Sequence, residues 1–148
     1  LGDTGGDLGQ MMDLRNHIKK DSMFNTPPVY PIYVSLLTMK WMERNGGVKG
    51  MEARNAEKAA LLYGAIDRLP LFSGTTAVED RSTMNATFKL NNDELGPEFD
   101  AAWKEAGISG LPGHRSVGGY RASMYNALPL ESVQVLVDVM EHFASKKG

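Results

Sequence analysis

From Ile32 onward, apolar residues return every three or four positions, at Ile32, Leu36, Met39 and Met42, and this spacing predicts an amphipathic helix ending at Gly46-Gly47. The prolines of Thr26-Pro27-Pro28 and Pro31 place its start no earlier than about Ile32. Met51 to about Arg68 repeats the pattern: Ala59, Leu62, Tyr63 and Ile66 face inward, while Glu52, Arg54, Glu57 and Lys58 make the wet face. Between Arg81 and Leu90 the period drops to two, with Ser82, Met84, Ala86, Phe88 and Leu90 on one side of a predicted strand. Asn92-Asp93 can cap a helix from roughly Glu94 to Ala106, carrying Leu95, Phe99, Ala102 and Trp103 on one face and stopped at Gly107. A polar stretch with Gly110, Gly113, Gly118 and Gly119 leads into a short β-like run around Tyr120 to Tyr125. Pro129 then suits the first turn of a last helix, whose stripe is Leu130, Val133, Leu136, Val137, Met140 and Phe143. Residues 1 to 10, rich in glycine and aspartate, read as a loop. Helix, helix, strand, helix, strands, helix, without β-α-β alternation, predicts a small α+β domain with helices packed on one sheet.

Composition narrows the function classes. A chain of 148 residues, 42% hydrophobic, is the size of one compact domain. A formal net charge of -2 argues against a binder of phosphate backbones. The absence of cysteine removes disulfides, thiolate metal sites and cysteine nucleophiles, and leans towards a cytoplasmic location. No apolar run approaches the roughly 20 residues of a membrane span, and the first residues do not read as a secretory signal. The nine methionines are expected to serve mainly as core packing.

The segment richest in chemistry is Gly113-His114-Arg115-Ser116-Val117-Gly118-Gly119-Tyr120-Arg121. Two guanidiniums and an imidazole among small residues outline an anion site, since arginine offers a planar fork matching a carboxylate or phosphate and glycine lets backbone N–H groups approach a ligand. The competing reading is a glycine turn with surface salt bridges. Asn25-Thr26-Pro27-Pro28 is a second candidate, because prolines stiffen the backbone that carries two hydrogen-bonding side chains; its structural alternative is a helix entry. His17 and His142 read as solvated or dipole-interacting histidines, and no spacing suggests a metal site. No Ser-His-Asp order, Walker loop, HExxH or dinucleotide fingerprint is present.

Six ordered strings carry a resemblance to a known family: Ser22-Met23-Phe24-Asn25-Thr26-Pro27-Pro28; Trp41 with Asn45-Gly46-Gly47-Val48; Lys58-Ala59-Ala60-Leu61-Leu62-Tyr63; Arg81-Ser82-Thr83-Met84-Asn85; Gly113 through Ala127; and Pro129-Leu130-Glu131. From about Asp13 to its last residue the chain resembles the phosphoserine aminotransferases, a family of fold-type I pyridoxal-phosphate enzymes. The resemblance implies the small C-terminal domain of that fold, mainly antiparallel sheet, over residues 21–148, with residues 1–20 as a remnant of the linker from a large domain. It implies reversible amino transfer from glutamate to 3-phosphohydroxypyruvate, giving O-phosphoserine and 2-oxoglutarate in serine biosynthesis, with the phosphohydroxythreonine reaction of pyridoxine biosynthesis as a second activity.

The cofactor implied is pyridoxal 5'-phosphate and the assembly a homodimer. Asn25 and Thr26 match the pair that reaches the partner's cofactor phosphate; His114 and Arg115 match the pair that binds substrate phosphate across the interface; Arg121 matches the arginine that holds the substrate α-carboxylate. The family's Schiff-base lysine, the aspartate facing the pyridine nitrogen and the aromatic stacked on the ring belong to the large domain upstream, so this chain alone is expected to be inactive. The alternative is a non-enzymatic anion-binding or dimerisation module.

Overall fold

The computed structural model describes residues 9–147. Of the loop expected over residues 1 to 10, residues 1 to 8 lie outside the described part. The chain divides into two compact units, Leu1–Trp41 and Met42–Gly148.

In the first unit a single helical turn, α1 (Leu14–Ile18), is capped by Asp13, whose carboxylate accepts from the Arg15 backbone N–H at 3.0 Å. Five residues are too few to show a period, and the sequence pattern does not predict this turn. The next helix, α2 (Val29–Arg44), carries most of its length in this unit. It starts three residues ahead of the expected Ile32, because Pro31 lies in the first turn, where no intrahelical N–H is needed. The expected buried stripe is not there. None of its residues is buried, and Ile32, Leu36 and Met39 are exposed along with Val29, Tyr30, Tyr33, Val34 and Leu37.

The second unit holds the core. After a turn at Asn45–Gly46, α3 (Gly47–Arg68) begins before the expected Met51. A three-stranded antiparallel sheet follows, formed by β1 (Phe72–Gly74), β2 (Asn85–Leu90) and β3 (Tyr120–Ser123) in that order. β1 is three residues long and shows no alternation to predict. The strand expected from Arg81 begins only at Asn85, because Arg81 is drawn off by Asp67 of α3, to which its two terminal nitrogens donate at 2.6 and 2.7 Å. Ser82 and Met84 therefore fall outside the ladder and are exposed. Asn92 caps as expected, its side chain accepting from the Glu94 N–H, but the residues capped are a short 3-10 turn ahead of α4 (Gly96–Glu105). α5 (Leu130–Lys147) buries Val133, Leu136, Val137, Met140 and Phe143, the predicted stripe, while Leu130 is half-buried.

Register puts Phe72 opposite Leu90, Phe88 opposite Tyr120 and Ala86 opposite Ala122, all on the face covered by helices. There α3 packs on the sheet and on α5, and α4 packs on α5. A chain of ring contacts through Phe72, Phe88, Tyr120, Phe99 and Phe143, with centroids 5.0 to 6.0 Å apart, ties sheet to helices. The other face is open and polar: Ser73, Asn85, Thr87, Lys89, Arg121 and Ser123. The expected α+β sheet with helices on one face is the observed architecture.

Two expectations about the interior fail. Only Met51, Met124 and Met140 among the described methionines are buried. Lys58, assigned to the wet face of α3, is 1% exposed. Its position obeys the helical period of Met51, Asn55, Leu62 and Ile66, and that spacing outweighs the polarity of its side chain.

Candidate functional site

His114 and Arg115 sit in a loop whose two ends are clasped together. The Gly113 N–H donates to the Gly119 carbonyl at 2.8 Å, and the Arg121 N–H to the Leu111 carbonyl at 2.7 Å, extending the edge of β3 backwards. Between these clasps the His114 carbonyl accepts from both Val117 and Gly118 N–H groups, so the tip is a tight turn. For Gly113 and Gly119 the expectation that glycine makes room for a ligand is corrected here. A Cβ on Gly113 would lie 2.2 Å from the Gly118 carbonyl oxygen, and one on Gly119, whose φ is +64°, would lie 2.7 Å from the Phe88 oxygen. Gly113 lets the loop close on itself and Gly119 lets it seat against β2, while a Cβ on Gly110 or Gly118 would meet nothing within 4 Å.

The side chains of His114 and Arg115 are presented outward. The Ser116 backbone N–H points to Nδ1 of His114 at 3.3 Å and the Ser116 Oγ lies 2.8 Å from the same nitrogen. A ring nitrogen that accepts is unprotonated, so in the neutral ring the proton sits on Nε2, which becomes a donor. Neither Arg115 nor Arg121 has a side-chain hydrogen bond or ion pair among the described residues. The surface-salt-bridge reading of this segment therefore finds no support.

Arg121 leaves β3 on the open face, paired in register with Thr87. Thr87 is the centre of a hydroxyl cluster that sequence reasoning missed: Thr75 Oγ1 lies 2.6 Å and Thr76 Oγ1 3.1 Å from its Oγ1. The two-residue period of β2 already put Thr87 on the outer face; the turn that brings Thr75 and Thr76 to it left no local signal. Beside β3, Arg121 also lines a cleft of about 360 Å³ with Ser109, Leu111, Ser123, Leu128 and Val133. Below the loop, Tyr120 donates to Asp100 at 3.0 Å; burial first, and this bond second, push the phenol well above its ordinary range, so it stays a neutral donor that anchors the strand.

Asn25 and Thr26 belong to the first unit and are exposed just ahead of α2. The Asn25 Nδ2 lies 3.4 Å from Met11 Sδ, a weak acceptor. Among the described residues the N–H groups of Val29 and Tyr30 have no backbone acceptor, as in the first turn of any helix. Amide, hydroxyl and free N–H groups together form a donor set suited to a phosphate. His17 is half-buried, with Nε2 3.1 Å from the Met11 carbonyl, and His142 is exposed. Among the described residues there is no cluster able to hold a metal ion, and no helix is long and apolar enough to cross a membrane.

Comparison with known proteins identifies the family. The sequence pattern of the class-V aminotransferases matches residues 3–136. The chain is 61% identical over 146 residues to a phosphoserine aminotransferase of Flavobacterium johnsoniae, covering 99% of this chain and 41% of that protein. A phosphoserine aminotransferase of Porphyromonas gingivalis is 55% identical over 148 residues, again covering 41% of the relative. The chain thus spans about two fifths of the length of these curated relatives. Among solved structures, the Bacillus circulans phosphoserine aminotransferase superposes with a TM-score of 0.86 at 45% identity, covering 95% of this chain and 39% of that one. The pyridoxal-phosphate-bound phosphoserine aminotransferase of Trichomonas vaginalis does so with a TM-score of 0.79 at 38% identity, covering 90% and 39%. The chain belongs to the class-V aminotransferase family.

Proposed function

We propose that this chain is the acid-recognising part of a pyridoxal-phosphate-dependent phosphoserine aminotransferase. The whole protein would move the amino group between glutamate and 3-phosphohydroxypyruvate, giving O-phospho-L-serine and 2-oxoglutarate. Residues 21–148 are read as the small C-terminal domain and residues 1–20 as the linker ahead of it. The observation that carries the reading is the pair of uncommitted guanidiniums, Arg115 and Arg121, on one loop and strand clasped by backbone bonds at Gly113 and Arg121. The names of the relatives supply the substrate class.

Each group has a role in this reading. Arg121 takes the substrate α-carboxylate in its planar fork, which fixes the direction of the reacting Cα–H bond. Nε2 of His114 and the Arg115 guanidinium take the substrate phosphate. Asn25, Thr26 and the free N–H groups that open α2 fit the phosphate of pyridoxal 5'-phosphate, which when bound supplies the electron sink for the reacting carbon. The protein works as a homodimer, in which Asn25, Thr26, His114 and Arg115 serve the partner's site. The exposed apolar surface of α2 supports such an assembly, because a helix this apolar is normally covered.

The test is a graft. The matching segment of the Flavobacterium johnsoniae relative is replaced by this chain, and transfer from glutamate to 3-phosphohydroxypyruvate is measured. The graft is expected to be active; Arg121→Lys should raise KM for glutamate roughly ten- to hundredfold, the scale of a lost charge-assisted hydrogen bond. Arg115→Gln should raise KM for the phosphorylated substrate by a similar factor. An inactive graft that folds and binds the cofactor would sink the reading.

A further inference from the structure

Lys58 is buried on the inner stripe of α3 with 1% of its surface exposed, and among the described residues it forms no ion pair. Its Nζ donates instead to three carbonyl oxygens, those of Met124 at 2.9 Å, Tyr125 at 2.7 Å and Leu128 at 3.2 Å. A lysine ammonium has three donors and no acceptor, so these bonds use its whole capacity. Burial, and secondarily the nearby Arg54 guanidinium, push its pKa down, so the cation is held at a cost that the converging carbonyl dipoles must offset. One turn earlier on the same stripe, Asn55 donates Nδ2 to the Asn126 side-chain oxygen at 2.7 Å, and its own Oδ1 is buried without a partner. Two side chains of one helix thus grip residues 124–128 at four points.

Those five residues, with Pro129, make up the link from β3 to α5. The link is folded by its own turn, with the Leu128 N–H on the Tyr125 carbonyl at 2.9 Å, and tied to the residue just ahead of β2 by the Met124 N–H on the Met84 carbonyl at 2.7 Å. β3 is four residues long and lies at the edge of the sheet; on its outer side, among the described residues, only the short bridge of Pro112 to Tyr120 with the Gly113 and Leu111 bonds holds it. Arg121 stands three residues before Met124. An edge strand this short takes its twist from whatever fixes its two ends: the Leu111 clasp on one side and the Lys58 ammonium on the other.

We propose that Lys58 is a positioning residue for Arg121: it pins the exit of β3 through the carbonyls of Met124, Tyr125 and Leu128, and so sets the direction in which the guanidinium leaves the sheet. This rests on the reading of Arg121 as the carboxylate-binding residue. Three carbonyls converging on one point form the coordination of a small cation, and Lys58 supplies that cation on a tether from α3. An apolar side chain of the same length would fill the space and leave all three oxygens without donors.

The experiment compares Lys58→Met and Lys58→Arg in the active graft, reading KM and kcat for glutamate, inhibition by inorganic phosphate, and amide exchange over residues 121–125. Lys58→Met is expected to raise KM for glutamate about tenfold or more with kcat within about threefold, the pattern of misplaced binding and not of lost chemistry. Phosphate inhibition should stay unchanged, because His114 and Arg115 lie beyond the other clasp, and exchange at 121–125 should accelerate. Lys58→Arg, which keeps the charge on a wider fork, should recover part of the KM. An unchanged KM would overturn the proposal, as would kcat, KM and phosphate inhibition worsening in parallel, which is the mark of a general packing defect. If Lys58→Met does not fold, the same comparison is made with Lys58→Arg alone. If Arg121→Lys proves silent, the reading of the site fails separately; exchange at the Arg121 amide then decides, faster exchange in the Lys58 variant supporting the pin and unaltered exchange refuting it.

Discussion

Gly113 shows how a single atom fixes the loop. With its N–H bonded to Gly119 and its α-carbon pressed towards the Gly118 carbonyl, the loop that carries His114 and Arg115 has no space for a Cβ, which would sit 2.2 Å from that oxygen. The contact is backbone to backbone, so no flexible side chain can yield. Gly113→Ala is therefore expected to open the clasp and destabilise the fold by about 1–3 kcal/mol, the range of overpacking in a tight site. The check is the midpoint of urea unfolding in the graft, together with KM for the phosphorylated substrate, which should rise while KM for glutamate moves less. An unchanged midpoint would mean that the loop breathes more than its hydrogen bonds imply. The composition of this segment showed that glycine mattered, but not why. The oxygen that forbids a side chain is five residues away in sequence and comes near only once the turn at His114 has formed.

Among the elements, α3 carries the clearest lesson about reading polarity against period. Met51, Asn55, Lys58, Leu62 and Ile66 recur at helical spacing, and all five are buried. The period runs through Lys58; residue type argued it off the stripe, and residue type was the weaker guide because three carbonyls wait for its ammonium. The same helix ends in an ion pair that shortened the predicted strand. Arg81 stacks over Tyr63, 4.5 Å from the ring centroid, and grips Asp67 with both terminal nitrogens. This hydrogen bonding holds the Asp67 carboxyl below its ordinary 3.8. A carboxyl with a depressed folded pKa stabilises the fold above its unfolded value, and that contribution is lost as pH falls through the folded one. Since the Asp67 side chain is 51% exposed, the contribution is expected to be small. Asp67→Asn should lower stability by roughly 0.2–1 kcal/mol at neutral pH and by less as the pH is taken below about 3.8. Parallel urea titrations of both proteins across that range check it; a constant difference down to pH 2 would show that shape and not charge holds Arg81.

At the scale of the whole molecule, the two units stand differently towards the sequence. The core of the second was largely legible, because α5, β2 and the Phe99–Trp103 face of α4 bury the residues their periods select. The first was not. α2 has the spacing of a buried helix, yet eight large apolar side chains from Val29 to Met39 are exposed over more than half of its circumference, at 3.6 residues per turn. A period reports that a face is apolar and is silent on which chain covers it, and these 148 residues span only 41% of the relative from Flavobacterium johnsoniae. Water is a poor partner for such a surface, since each large side chain left exposed forgoes about 1.5–3 kcal/mol of burial. The chain on its own should therefore self-associate, with a sedimentation coefficient that rises with concentration. Replacing Leu36 and Leu37 together with lysine, which puts two charges into the middle of the patch, should return it to a monomer without unfolding α3 to α5, whose core is built from other residues. Circular dichroism of the double variant checks that the helices persist. A chain that sediments as a monomer at every concentration before substitution would show that α2 is tolerated in water, and would remove its support for the proposed homodimer.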